Sequence, residues 1–308
     1  VINLHEGLLD VDTNFDVVFW PVAMDAKVAD VEALPDGAIS VCFLNGGVRT
    51  TENEEMAQLL RRKSQILISF GSCACEGGIP GLANSFPVEE IITTAFQTIS
   101  TENPDLIYPQ IHSTVAEGEL SLPRLQPTLR ALDQVVPVDF YLPGCPPETA
   151  QIEVVIRLAI QALKGEASLP PTGSVIGAGN STVCDECTRK RGEKTIHEFR
   201  RMATYQPNTE ECLLEQGILC SGMATRSGCQ ALCPKANMPC MGCYGPAANT
   251  TEQGARMMSA IASVTAGKSP EELAPVMDGI VDPVGTFYRF GLAHSLFHRA
   301  SLAPKRRA

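Results

Sequence analysis

No stretch of this 308-residue chain approaches the roughly 18 consecutive apolar residues of a membrane-crossing helix, so none of it is expected to span a bilayer. Basic residues are outnumbered: the net charge is −11, which argues against a nucleic-acid partner. The start carries neither the basic patch nor the apolar run of a secretion signal. There is no internal repeat and no low-complexity tract. No constellation of side chains stands out as a general acid, base or nucleophile. Cysteine is abundant, at 12 residues, and free thiols at that density without a secretion signal point to a reducing cytoplasm.

Eight of the 12 cysteines fall in the 60 residues from Cys184 to Cys243. They are Cys184, Cys187, Cys212, Cys220, Cys229, Cys233, Cys240 and Cys243, with Gly228, Pro234, Pro239 and Gly242 as immediate neighbours. A segment this poor in large apolar side chains cannot order itself by its own burial. Disulfides belong to small secreted domains, which a chain of this length without a signal is not. Zinc suits two C-x2-C pairs as four-thiolate ligands. Iron–sulfur chemistry suits eight thiols divided into two sets of four, one set for each 4Fe–4S cluster. On spacing alone zinc and iron–sulfur stand nearly even. The first would make the chain a zinc-stabilised interaction module, the second an electron carrier.

The rest of the chain alternates buried strands and helices. Strands are expected at Asp16 to Trp20, Ala38 to Leu44, Gln65 to Phe70 and Val136 to Leu142. The start reads as the end of a helix. Further helices are expected after Thr51, with Thr51 and Glu54 as a capping box, from Phe86 to Ile99, from Ile152 to Leu163 and from Thr250 to Val264. Residues 101–124 read as an irregular surface insertion, and Leu169 to Gly173 as a linker. The pattern is that of a parallel sheet with helices on both faces, where ligands sit beyond the carboxyl ends of the strands. Two of those ends offer a thiol, Cys73 in Gly71-Ser72-Cys73 and Cys145 in Pro143-Gly144-Cys145. The helix after Cys145 aims its N-terminus at that thiol, which favours an anion there. Cys42 reads as a core residue. The C-terminal run mixes aromatics with Arg289, His294, His298, Arg299 and a final basic cluster, and is expected to meet a partner or another part of the chain.

GSCACEGGIPG (71–81), LPGCPP (142–147) and the eight-cysteine pattern of 183–243 together resemble the small subunit of NiFe hydrogenases over nearly the whole chain. The likeness is nearest to the cytoplasmic, multimeric branch: methyl-viologen-reducing gamma subunits and sulfhydrogenase delta subunits. LPGCPP alone is shared with the small iron–sulfur subunit of respiratory complex I, which makes an iron–sulfur subunit of a complex I-like assembly the alternative. The resemblance implies a flavodoxin-like parallel-sheet domain (1–172) followed by a loop-rich iron–sulfur domain with a few helices (173–308). It implies an electron relay between a NiFe large subunit, which would carry the catalytic centre, and a further iron–sulfur or flavin subunit. The final acceptor could be nicotinamide, deazaflavin or a heterodisulfide reductase. Cys73 and Cys145 match two ligands of a proximal cluster. Cys184, Cys187, Cys212 and Cys220 match the distal cluster, and Cys229, Cys233, Cys240 and Cys243 the medial one. Membrane-bound relatives carry proline in place of Cys233.

One departure stands out. The family has a C-x-G-C loop after a first strand, and no such loop precedes Val1; an incomplete chain is the expectation, with the proximal cluster present if that loop is. Cys75 occupies a position that varies in the family and is expected to be a spare thiol rather than a substitute ligand.

Overall fold

The computed structural model describes residues 4–193, 195–267 and 269–297; His298, Arg299 and the final basic cluster lie outside the described residues. In chain order the elements are α1 (Gly7–Asn14), α2 (Val28–Ala33), β1 (Ile39–Asn45), β2 (Val48–Thr50), α3 (Thr51–Lys63), β3 (Ser64–Phe70), α4 (Gly71–Glu76), α5 (Val88–Gln97), β4 (His112–Val115), β5 (Gly118–Ser121), β6 (Leu125–Arg130), β7 (Phe140–Leu142), α6 (Thr149–Leu163), β8 (Ser174–Val175), α7 (Val183–Glu186), α8 (Leu232–Lys235), α9 (Gln253–Val264), α10 (Pro270–Asp278) and α11 (Pro283–Phe287).

Strands β1, β3, β7 and β8 form a parallel sheet in the order β1-β3-β7-β8. Side chains alternate across β3. Ile66, Ile68 and Phe70 join Ile152, Val155 and Ile156 of α6 on one face, with Val11 of α1. Leu67 on the other face meets Ala57 of α3, and Val31 of α2 packs with Leu59 and Leu60 beside it. Helices thus cover both faces, as expected of strands that carry apolar residues on both sides. Fully buried Leu67 and Leu142 each contribute on the order of 2 kcal/mol of hydrophobic stabilisation.

Four expectations are corrected. Asp16 to Trp20 is not a strand: Val17 and Val18 are each 44% exposed, while Phe15 and Phe19 turn inward. They pack in clusters on opposite faces, so this segment carries the chain from one side of the sheet to the other. The strand expected at Val136 to Leu142 shrinks to Phe140–Leu142, because Val136 N–H closes a turn on Leu132 O and Pro137 has no N–H to give. The cap of α3 sits one residue earlier, with Thr50 Oγ1 accepting from Asn53 N–H at 3.2 Å. Residues 101–124 contain an exposed antiparallel hairpin, β4–β5.

Beyond β8 regular structure is sparse. Short turns carry the eight cysteines and lean on α9, α10 and α11, whose Met257, Ile261, Val276 and Phe287 share one core with Val183, Phe199, Leu213 and Ile218. The two regions meet where Ser72 Oγ donates to Cys243 O and Tyr244 OH accepts from Glu148 N–H at 3.2 Å.

Candidate metal centres

Cys73 lies in α4, directly after β3, and Cys145 follows β7, the neighbouring parallel strand. Ser72 N–H donates to Gly144 O at 2.7 Å, which binds the two loops together. Burial, with the charge of Cys145 second, pushes the Cys73 thiol up. Gly78 stands against that thiol: a Cβ there would lie 2.7 Å from Cys73 Sγ. Cys145 is exposed, just before the N-terminus of α6.

Cys184, Cys187, Cys212 and Cys220 line one open cavity, with Arg189, Arg191, Gly222 and Pro234. Local chemistry builds the first pair: Asp185 Oδ2 accepts from both the N–H and the hydroxyl of Thr182 at 2.8 Å, closing the turn that presents Cys184 and Cys187. Cys212 is held by its N–H on Lys190 O at 2.8 Å. Gly222 forms the floor, and a Cβ there would lie 3.2 Å from Cys184 Sγ and 3.7 Å from Cys220 Sγ. Burial pushes Cys184 up to about 12, followed by the charges of Cys220 and Cys212. Burial likewise pushes Cys220 up to about 11, against N–H donors from Gly222 and Cys240.

Cys229, Cys233, Cys240 and Cys243 follow in the chain after Gly222. Burial pushes Cys243 up to about 12, with the charges of Cys229 and Cys233 next. Cys240 is pushed well up by burial, then by Cys220. Backbone N–H groups of Ala231 and Leu232 point at Cys229, and that of Gly242 at Cys240. Two contacts join the sets. Cys240 N–H donates to Cys220 Sγ at 3.3 Å, and the backbone of Cys145 bonds to the Cys243 thiol. Buried thiols that repel one another as thiolates need bound cations to ionise together. Among the described residues no three Cys, His, Asp or Glu side chains converge tightly enough for one metal ion. Four thiols lining one cavity over Gly222 are a donor set that suits an iron–sulfur cluster.

Residues 1–159 match the family described as NADH ubiquinone oxidoreductase, 20 Kd subunit. That match ends before the first of the eight clustered cysteines. The iron-sulfur subunit of the F420-non-reducing hydrogenase of Archaeoglobus profundus is 38% identical over 310 residues, covering 97% of this chain and 93% of that protein. The chain belongs to the hydrogenase iron–sulfur subunit family. Sulfhydrogenase 2 subunit delta of Pyrococcus furiosus is 27% identical, covering 82% of this chain and 81% of its own length. Among solved structures, one chain of an NAD+-reducing [NiFe]-hydrogenase in the H2-reduced state is 29% identical over 53% of this chain and 82% of that one, with a TM-score of 0.42. As a small subunit of this family, the protein is the electron-transfer component of a hydrogenase, an oxidoreductase complex. None of its described helices is long and apolar enough to cross a membrane.

All 12 thiols of this hydrogenase subunit are free of disulfides. Cys42 packs in the β1 side of the core, where burial pushes it up to about 11. Cys75 is buried, its thiol donating to Ser69 O at 3.3 Å. Sequence reading missed Arg189, Gly222, Glu186 and the network of His294. The Arg189-Lys190-Arg191 run directly after Cys187 and Thr188 was the available signal for the first of these.

His294 joins the C-terminal segment of the subunit to the sheet domain. Its Nε2 meets Asp133 Oδ2 at 3.0 Å and its Nδ1 meets Glu76 Oε2 at 3.6 Å, while Tyr141 OH donates to Asp133 Oδ2 at 2.9 Å. Gln134 Nε2 adds a bond to Ala293 O at 3.0 Å. The Asp133 hydrogen bond raises His294 to about 9, and burial raises Glu76 to about 7. Burial works against Asp133, yet the hydrogen bond and charge of His294, with Tyr141, hold it below the usual carboxylate range. A histidine raised on folding gives its full stabilisation below its unfolded pKa and loses it as pH rises through about 9. Glu76, raised by burial to about 7, costs stability as pH rises from the ordinary carboxylate range to about 7, so the change above neutral pH comes from His294. Amide exchange of the segment 289–297 is therefore expected to speed up roughly five- to tenfold between neutral pH and pH ~9.5, after correction for intrinsic rates, the worth of about 1 kcal/mol for a partly exposed pair. Equal protection at both pH values would remove His294 from this role.

Proposed function

We propose that this subunit passes electrons one at a time between a NiFe large subunit and a further iron–sulfur or flavin subunit, through two 4Fe–4S clusters and a third site. Cys184, Cys187, Cys212 and Cys220 hold one cluster; Cys229, Cys233, Cys240 and Cys243 hold the next. Cys73 and Cys145 supply two ligands of the third, on the edge of the sheet that faces the large subunit. When bound, such clusters supply one-electron centres whose potentials follow cluster type, charge and hydrogen bonding. The observation that carries this reading is the cavity in which Cys184, Cys187, Cys212 and Cys220 meet over Gly222.

The order of the sites is supported by the contacts between them. Cys145 touches Cys243 through its backbone, and Cys240 touches Cys220, giving a line from the sheet edge through the middle set to the open cavity. In this reading the chain's residues position the sites, exclude water from Cys220 and Cys240, and aim N–H groups at the sulfurs, while the acceptor subunit docks at the cavity mouth. The division of the chain at 172/173 goes with it, with β8 of the second part returning to pair with β7. A cytoplasmic setting suits the array of free thiols.

The complex isolated with its partner chains should be brown, with broad absorbance near ~400 nm, and should contain roughly eight iron and eight acid-labile sulfide per copy of this chain from the two C-terminal sets alone. It should reduce a dye with H2. A colourless preparation containing zinc and no sulfide would overturn the relay and favour the interaction module.

A further inference from the structure

Arg189 lies between the two cysteine sets and is only 8% exposed. Its guanidinium ties together two other stretches of chain, 208–211 and 234–237. Nε donates to Pro234 O at 3.0 Å, Nη1 to Asn208 O at 2.7 Å and to Glu211 O at 3.0 Å, and Nη2 to Asn237 Oδ1 at 2.6 Å. Each end of this web adjoins a thiol. Cys187 is two residues before Arg189, Cys212 follows Glu211, and Cys233 precedes Pro234. Arg189 also lines the cavity of Cys184, Cys187, Cys212 and Cys220.

These four hydrogen bonds all end on carbonyl or amide oxygens, none on a carboxylate. A guanidinium keeps its charge and spends its planar donors in fixed directions. Burying it beside neutral acceptors leaves most of the charge to act on whatever stands next to it, at an effective dielectric far below that of water. Thiolate-ligated clusters are anionic and gain a further negative charge when reduced. We propose that Arg189 is a positioning residue shared by the two C-terminal sites: it fixes the spacing between them and favours the reduced state of both. This rests on the cluster reading above. Glu186, next to Cys187, is the nearby carboxylate, with Oε1 accepting from Gly228 N–H at 2.8 Å, Oε2 buried without a partner, and its charge felt by Cys229. Its effect is the same in every variant of Arg189, so differences between variants isolate the cation.

The test uses the whole complex and reads iron, sulfide and the EPR-monitored midpoint potential of each cluster. Arg189→Met removes the charge, Arg189→Lys keeps it but not the fork, and Asn237→Asp sets a carboxylate against the intact guanidinium while keeping the Oδ1 acceptor. Arg189→Met and Asn237→Asp should both make the two clusters harder to reduce by roughly tenfold each, about 59 mV for one electron. Arg189→Lys should hold both potentials within a small fraction of that shift while altering the spin coupling between the reduced clusters. Should Arg189→Met not assemble, Asn237→Asp decides alone. Full iron content with unchanged potentials in Asn237→Asp overturns the inference and leaves the relay standing. Absence of iron and sulfide from the unmodified complex overturns the relay itself.

Discussion

Replacing Cys233 with proline is expected to turn one of the two C-terminal clusters into a 3Fe–4S centre. Cys233 is the exposed member of its set and the second residue of α8. Proline is tolerated there, because its ring meets no preceding helical turn, and the chain already continues with Pro234. The backbone around Cys240 and Cys243 is held by other bonds: Ser221 N–H donates to Cys240 O at 2.8 Å, and Ser72 Oγ to Cys243 O. The substitution therefore deletes one thiolate and leaves three in place. A corner of the cluster without a ligand loses its iron, and the product shows an EPR signal in the oxidised protein at about one spin per molecule. The 3Fe–4S centre sits at a higher potential than a fully cysteine-ligated 4Fe–4S centre. Delivery to a low-potential acceptor should therefore fall by roughly tenfold or more, while dye reduction with H2 falls less. If the unmodified protein already carries that signal, Cys233 is not a ligand and the assignment fails.

Cys220→Ala should have the larger effect on stability. Cys220 is 9% exposed, belongs to the core formed with Met257, Ile261 and Phe287, and accepts the N–H of Cys240 at 3.3 Å and that of Gly222. Its thiolate is one of four that would share a cluster, and it touches the second set. The variant is expected to lose about four iron atoms per chain. The fall in stability should exceed the about 2–5 kcal/mol of an ordinary large-to-small core change, because binding energy of a structural metal centre is folding energy. Calorimetry and limited proteolysis between Cys184 and Cys243 would show it as a lower melting temperature and new cleavage. Cys42→Ala is the control: a core thiol of β1 outside both sets, expected to cost about 1 kcal/mol with iron unchanged. Cys220→Ala with its full iron complement would show that Cys220 only packs.

The amino-acid sequence by itself determined the parallel sheet and the close pairing of the thiols within each C-x2-C motif. Strands such as Ser64–Phe70 are apolar on both sides, and only a sheet covered on both faces buries them. Each C-x2-C pair belongs to one turn, so its two thiols stay together whatever the rest of the chain does. Other features depended on contacts that no local pattern encodes. Asp16 to Trp20 has the composition of a strand, yet it serves as a crossing because no neighbour offers it a ladder. The cysteine stretch is short of apolar residues, and its core is supplied by Met257, Ile261, Val276 and Phe287, from helices later in the chain. His294 finds Asp133 across 161 residues. Arg189 could be read in the sequence only as one more surface cation; it became a buried fixed charge because folding brought the carbonyls of Asn208, Glu211 and Pro234 around one guanidinium. Periodicity records which side of an element is buried, whereas the partners of a buried polar group are chosen by the tertiary fold, since only there are the competing hydrogen bonds to water withdrawn.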